Sequence, residues 1–454
     1  MNRYMKVFSL VSRLIMGVLF MFSGFVKAID PLGSAYKFTD YFTAFGLDFL
    51  APLSLALAIF LSAFELVLGL VLILGYQKKI TYWVLLFFMS FFTLLTFILA
   101  LTNPVHDCGC FGDALILTNW QTFFKNLVFM VFTLVLFSQR NQVRNPHALL
   151  PEVSLIVLFF AVSTVLSVSC LRHLPIIDFR PYSIGTDIRE KMEMPDDAPQ
   201  DEYLTLLFYE NLSTGKVEEF TIDNYPDDTA RYRFVTSESK LVSKGYEPPI
   251  HDFGIMDIYG DDITNELLGY KGYSLLMICY DIQKSELPVL AEAENWNSLA
   301  MLSEDFRFIP VTASVGPAID EIMAENGLSY WFYSADEIML KTVVRSNPGF
   351  VLLKNGTIVG KWAWRDFPSL GVWNADWPQL VEEYQNKFDE ILHMYKDEGI
   401  MVENEISMVD FDKAANPVVT NSLDRKNRVA VWIIYGLILS VVILVLNLLP
   451  IKRD

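Results

Sequence analysis

Two cysteines separated by one glycine, Cys108 and Cys110, stand in the octapeptide HDCGCFGD at residues 106–113, beside His106, Asp107 and Asp113. They are half of the four cysteines in a chain of 454 residues. Three chemistries compete for them. In an oxidising compartment two thiols this close tend to pair, and Gly109 gives the backbone the freedom to bring their Cα atoms into bridging range. So small a ring is strained, and strained, exposed disulfides are the labile and oxidising ones. Asp107 and Asp113 would disfavour a thiolate and slow exchange unless positive charge arrives from elsewhere. The second reading is metal: His106 and two thiolates form a soft ligand set suited to Cu(I) or Zn, with Asp107 or Cys170 as a fourth ligand. The third is a turn whose thiols are tucked away as small apolar groups.

The elements that position this loop are set by hydropathy. A mean hydropathy of +0.34 with 35 Phe calls for membrane helices. The hydrocarbon core takes about 20 predominantly apolar residues per helix. Six segments qualify, at 7–28, 52–75, 79–101, 119–138, 152–171 and 429–449. The first follows Arg3 and Lys6, but it lacks a small-residue cleavage site and further spans follow, so it reads as a retained helix. With alternating spans, the basic groups Arg3 and Lys6, Lys78 and Lys79, Arg140 and Arg144, and Lys452 and Arg453 share one side. The positive-inside rule makes that side cytoplasmic and leaves both termini there. The loop 102–118 carries no Lys or Arg and falls outside, as does the long segment after the fifth span. The sequence DRKNR at 424–428 also lies outside, but long translocated domains are exempt from the rule.

The charge is divided to match. Residues 178–427 carry about 45 acidic and 21 basic side chains, whereas the whole chain has a formal net charge of −18. So acidic a segment argues against nucleic acid and against docking on an anionic lipid surface. It also keeps an exported domain soluble.

Within the spans, Arg13, Gly17, Gly24 and Lys27 fall close to one helical face. Gly17, Ser23 and Gly24 permit close approach of another helix, and Lys27 is placed to snorkel to the external interface. Glu65 is the one acid in the second span. A carboxyl at that depth either hydrogen-bonds to a neighbouring helix in its protonated form or handles a proton or ligand.

The runs RLIMGVLFMFSGFVKAID and FELVLGLVLILG, with CGCFGD before a fourth helix, resemble the DoxX-like superfamily and, within it, the methylamine-utilisation MauE family, over about residues 5–140. That resemblance implies a four-helix membrane bundle. It also implies disulfide or electron handling for exported proteins, by similarity to quinone-linked thiol oxidoreductases such as the vitamin K epoxide reductase group. No cofactor is fixed by the residues, and a quinone is the candidate the resemblance brings. The chain has no C-x-x-C, which such a relay normally uses.

Residues 174–202 are rich in Pro and Asp and read as a connector. An alternating stretch around a Ser-Thr-Gly turn then reads as a hairpin in a small β-containing module. From 250 to 395 strands and helices alternate, with YSLLMICYD as a central strand and an Asn-Gly hairpin near the end. This order resembles the thioredoxin fold of TlpA-like exported proteins, with Asn347-Pro348 in the place of that fold's cis-proline. Where the resemblance places a C-x-x-C stands YDIQKSE (280–286), and Cys279 alone reads as a buried apolar residue. What the resemblance leaves is a peptide-binding groove beside Asn347 and Pro348. Trp362, Trp364 and Trp373 either add aromatic surface to it or pack in the core.

The expected organisation is a four-helix membrane domain (1–145), a fifth span (146–173), a linker and β module (174–249), a thioredoxin-like domain without C-x-x-C (250–395), an irregular tether (396–427) and a last span with a cytoplasmic tail (428–454). In a bacterial inner membrane this leaves residues 172–427 in the periplasm. One expected function is thiol–disulfide exchange with exported proteins or a partner thioredoxin through Cys108 and Cys110, with Cys170 resolving mixed disulfides. The other is a non-enzymatic scaffold whose acidic domain docks envelope proteins. A third is metal or quinone handling with His106 or Glu65 as contacts.

Overall fold

The computed structural model describes residues 3–105, 107–141, 149–195, 197–243, 245–386, 411–412 and 414–421. They fall into two compact units, residues 187–253 and the remainder. The expected span at 429–449 and residue His106 lie outside the described residues.

The larger unit begins with six helices: α1 (Arg3–Ile29), α2 (Pro31–Ala44), α3 (Ser54–Leu74), α4 (Lys78–Thr102), α5 (Asn119–Ser138) and α6 (Leu149–His173). All but α2 lie in segments long and apolar enough to cross a membrane. α1 and α3 touch through small residues. A Cβ at Gly24 would lie 2.3 Å from the Leu66 nitrogen, and one at Gly69 would lie 2.4 Å from the Met21 nitrogen. Without a hydrophobic drive between helices in lipid, such close backbone packing is what holds them together. Gly24→Val is therefore expected to push α1 off α3 and destabilise the bundle by about 1–3 kcal/mol or more. Size-exclusion chromatography of heated samples should show a lowered unfolding midpoint, and an unchanged midpoint would refute the contact.

Helix α2 has no counterpart in the expected spans. Asp30 caps it by accepting from the Gly33 N–H at 3.0 Å, and Pro31 takes the first position, where no N–H is needed. Its mixture of Tyr, Phe, Lys and Asp gives it no membrane-length apolar run. α5 opens on a reciprocal cap between Thr118 and Gln121.

The unit 187–253 holds α7 (Ile188–Met192) and the strands β1 (Glu202–Asn211), β2 (Lys216–Thr221) and β3 (Tyr232–Ser243), in the antiparallel order β2-β1-β3. The expected hairpin is its first pair. Tyr209, Phe220, Tyr232 and Phe234 meet edge to face across the strands.

The larger unit resumes with α8 (Thr264–Gly269), β4 (Tyr273–Cys279), α9 (Leu287–Met301), β5 (Phe306–Thr312), α10 (Gly316–Asn326), β6 (Tyr333–Ser334), α11 (Glu337–Val343), β7 (Gly349–Lys354), β8 (Thr357–Ala363) and α12 (Leu370–Trp373). The sheet order is β6-β5-β4-β7-β8. β4 is parallel to β5 and antiparallel to β7. Every residue of β4 is buried, as its unbroken apolar run requires. α9 supplies the crossover that a parallel neighbour needs. Asn355 and Gly356, both at positive φ, close the β7–β8 hairpin. The Asn347–Pro348 peptide bond is cis.

Trp362 and Trp373 pack in the core with Trp296 and Phe367, the second of their two readings, and Trp364 is half-buried. The reason is the apolar side of the sheet, which needs large rings to fill it. Residues 411–412 and 414–421, expected in an irregular tether, are helical. Phe411, Ala414, Ala415 and Val418 recur at helical spacing and are buried, with Phe411 stacked on Phe306 at 4.1 Å between centroids. The connector after α6 is also built in rather than loose. Arg180 is buried and donates to Asp178 at 2.7 Å, while Lys361 on β8 donates to the same carboxylate at 2.7 Å. Burial pushes the Lys361 amine down to about 7 against the pull of Asp178.

Candidate functional site

Cys108 and Cys110 lie in the loop between α4 and α5. The loop is pinned at both ends. Asn119 Nδ2 donates to Asn103 Oδ1 and to the Val105 carbonyl, each at 2.8 Å, and Asp107 bridges to Thr118. Gly109 has φ +59°, and a Cβ there would meet Lys37 of α2 at 3.0 Å. The glycine thus provides both the left-handed turn and the space for α2 to sit on the loop.

Both thiols are free. The Cys110 N–H donates to Cys108 Sγ at 3.3 Å, and the Thr122 hydroxyl lies 3.4 Å from the same sulfur. The two cysteines are electrostatically unequal. The Cys110 thiol donates to Cys108 and, against the cost of burial, lowers its pKa, helped by Thr122 and the charge of Lys125. Cys110 moves well above the ordinary thiol range, because it holds that shared proton and is partly desolvated. The pair therefore resembles a thiolate beside a thiol, the arrangement that thiol exchange requires.

The positive charge that the sequence lacks beside the loop comes from other elements. Lys37 pairs with Asp107. Arg345, just before the cis-proline, pairs with Asp113 at 3.2 Å and with Asp30 at 3.0 Å. The expected suppression of the thiolate by Asp107 and Asp113 is thus reduced, since Lys37 faces Asp107 and Arg345, shared with Asp30, faces Asp113. Among the described residues Lys125 pairs with no carboxylate; its ammonium lies over Phe111, 4.4 Å from the ring centroid.

Beneath the loop is a buried ion pair. Lys27 Nζ lies 2.8 Å from both oxygens of Glu65 and donates to Ser23 Oγ at 3.1 Å. Ser23 Oγ lies 2.7 Å from Glu65 Oε2 and 2.8 Å from the Cys110 carbonyl. Lys27 therefore does not snorkel to the interface: a carboxylate one helix away satisfies it in place. Glu65 in turn meets Lys27 across the two helices, both carboxyl oxygens 2.8 Å from the ammonium. Arg13, at the far end of the same face of α1, lies against Gly75 and hydrogen-bonds to Tyr82.

Cys170 is buried near the end of α6 and is not among the residues lining the cavity that Cys108 and Cys110 share. Cys279 is fully buried at the end of β4, where burial pushes its thiol up to about 12. Among the described residues no three His, Cys, Asp or Glu side chains gather as a metal would need. His106, the remaining member of that reading, lies outside them.

The surface beside Pro348 is engaged within the chain. Asn347 Nδ2 donates to the Asp281 carbonyl at 2.6 Å, and Ser285 Oγ donates to Asn347 Oδ1 at 3.3 Å. Tyr280 hydrogen-bonds to Tyr36 on α2, and the Lys341 ammonium lies 5.0 Å from the Tyr36 ring centroid. Segment 280–285, Arg345 and α2 thus form one contact beside the cysteine loop. Lys37, Lys125, Asp30 and Arg345 were not singled out by sequence reasoning. A lysine inside an apolar span is itself a functional signal and marks Lys125.

Five membrane-length apolar helices joined to an α/β region define an integral membrane protein. Residues 5–139 match the family described as methylamine utilisation protein MauE, so the membrane region is of that type. Residues 203–244 match a domain of unknown function (DUF8463). No curated protein and no solved structure matches the chain.

Proposed function

We propose that this protein is a thiol–disulfide oxidoreductase of the bacterial inner membrane. Cys108 and Cys110 face the periplasm and exchange disulfides with exported proteins or a partner thioredoxin. The observation that carries the reading is the geometry of the pair: Cys108 Sγ accepts from the Cys110 N–H at 3.3 Å and lies 3.4 Å from the Thr122 hydroxyl, contacts that favour a Cys108 thiolate. In the oxidised protein, a client thiolate attacks Cys110. The client–Cys110 bond forms, the Cys108–Cys110 bond breaks, and Cys108 leaves as the more stable thiolate. The client's second thiolate then closes the client disulfide and releases Cys110, which takes up a proton.

The sheet order, the parallel β4–β5 pair and the cis Asn347–Pro348 bond support a thioredoxin-like reading of residues 250–395. Having Tyr280 to Ser285 where that fold carries its cysteines, the domain acts by holding the loop through Arg345. Its packing on α2 also favours a second reading, a scaffold without chemistry.

Thiol trapping in native membranes separates the two. Cys108 and Cys110 should be blocked to alkylation until mild reduction, and Cys108→Ser should accumulate mixed disulfides on Cys110. In the reduced protein, alkylation follows the thiolate. The rate at Cys108 should already be close to its ceiling at neutral pH and fall on acidification, while that at Cys110 should still be rising in alkali. Thiols free in untreated membranes, with a double Cys108→Ser, Cys110→Ser variant indistinguishable from wild type, would leave the scaffold reading.

A further inference from the structure

A cavity of about 330 Å³ lies behind the cysteine pair, within the size range of small-molecule sites. Its lining on α4 runs from Leu99, near the loop, down to Phe88. At the helical rise these residues are about 16 Å apart along the axis, close to half of the roughly 30 Å hydrocarbon core. Phe20, Phe64 and Phe88 pack on one another at the lower end, with Phe20–Phe88 and Phe64–Phe88 centroids 5.4 Å and 5.5 Å apart. Phe92, Leu95 and Phe129 give apolar walls. Phe91 also lines the cavity and is 53% exposed, on a face of α4 that the bilayer covers, so the space opens to lipid. Depth, polarity and opening together describe room for one acyl chain of a single leaflet.

The charges at the loop end define what must sit on that chain. Among the described residues three ammonium groups line the cavity, those of Lys27, Lys37 and Lys125, against one carboxylate, Glu65. Glu65 satisfies Lys27, and Asp107 satisfies Lys37. Lys125 has no carboxylate among the described residues and rests on the Phe111 ring. An uncompensated cation at the edge of lipid is costly, and an anion beside it removes that cost. Within the loop the Cys108 sulfur meets the need only as a thiolate, which the Lys125 charge favours. That anion is gone whenever Cys108 is protonated or bonded. We infer that the cavity binds an anionic amphiphile, a fatty-acid carboxylate or an acidic phospholipid, with its oxyanion on Lys125 and an acyl chain among the phenylalanines. The bound anion and the Cys108 thiolate then compete for one ammonium. Coupling is reciprocal, so the lipid anion disfavours the thiolate and the thiolate expels the lipid anion. As a brake on exchange the inference rests on the thiol-exchange reading, whereas the binding step does not.

The test uses the full chain in phosphatidylcholine nanodiscs, with oleate and phosphatidylglycerol as separate probes and oleyl alcohol as the uncharged control. Reduced Cys110→Ser leaves Cys108 as the reporter, its alkylation followed by peptide mass spectrometry at neutral pH. A saturating anion should slow that reaction by about fivefold or more, whereas oleyl alcohol should leave it unchanged. The probe that acts identifies the source, free fatty acid or phospholipid. Lys125→Met should bind that probe about tenfold less tightly and lose the response, while Lys125→Arg should keep both. Cys108→Ser has no thiolate to compete and should bind it more tightly than the reduced wild type. Leu95→Trp, which blocks the path of the chain, should weaken binding with every charge in place. Equal binding of both anions to the wild type and to Lys125→Met would refute the site. Equal slowing by oleyl alcohol would refute the competition for charge. If neither anion affects Cys108 while clients are still trapped on Cys110, this inference alone falls. Slowing by an anion in a protein that never traps a client would instead overturn the thiol-exchange reading and leave the lipid site standing.

Discussion

Lys27→Met is expected to destabilise the bundle by about 3–5 kcal/mol, the usual result of stripping one partner from a buried ion pair. The magnitude follows from what remains. Glu65 is 4% exposed and would lose both of its contacts to the Lys27 ammonium, keeping only the Ser23 hydroxyl. In lipid no water replaces the missing cation, so the carboxyl must protonate or the helices must part. Glu65→Gln should cost about as much, since it leaves the buried Lys27 ammonium without its counter-charge even though the amide oxygen still accepts from it. Lys27→Met combined with Glu65→Leu should recover most of the loss, because the cost lies in the unpaired charge rather than in the absence of the pair. Thermal unfolding followed by size-exclusion chromatography reads all three. Additive single losses in the double variant would show that the two side chains do not depend on each other.

Arg345→Met should release the α/β region from the cysteine loop. The guanidinium is 7% exposed and donates to Asp30 and Asp113 while its other nitrogen donates to the Lys341 carbonyl. Removing it leaves two carboxylates facing each other, again at a cost of about 3–5 kcal/mol. Hydrogen exchange should rise in residues 30–44 and 107–114, and protease should cut the connector after α6 more readily. The two carboxylates differ in sign. Burial works against ionisation of Asp30, but Arg345 overrides it and holds the group below the ordinary carboxylate range. Its contribution to stability is therefore complete at neutral pH and is lost as the pH falls through that lowered value. Asp113 is the more exposed of the two, and desolvation raises its carboxyl despite Arg345, so its pairing adds less to stability at neutral pH. Asp30→Asn is consequently expected to cost more than Asp113→Asn, and the reverse order would contradict the assignment.

Much of this was legible in the sequence, and the rest was hidden for definite reasons. The long apolar runs define the spans, because lipid imposes one length and one polarity on them. Gly17 and Gly24 announce the α1–α3 contact, and Cys108-Gly109-Cys110 announces the site. Helix α2 is concealed because its fourteen residues are neither membrane-length nor cleanly amphipathic. The helical residues 411–412 and 414–421 are concealed by their acidic neighbours, although Phe411, Ala414, Ala415 and Val418 carry the periodicity. The partner of Asp30 lies 315 residues away in Arg345, and no local pattern reports a pairing at that separation. Lys125 was visible as a charge in an apolar span, but its meaning depended on seeing which carboxylates already had partners.

The bridge formed by Arg345 places the α/β region and the cysteine loop in one thermodynamic cycle. Asp113 stands three residues beyond Cys110, so on the proposed thiol-exchange function any rearrangement of the turn on bond formation is felt at the guanidinium. Coupling free energies are reciprocal. By whatever factor docking of the α/β region biases the dithiol–disulfide equilibrium, oxidation of the pair biases docking by the same factor. A measured difference in reduction potential between the wild type and Arg345→Met is therefore also a measure of how strongly the redox state of two sulfur atoms grips a domain hundreds of residues away in sequence.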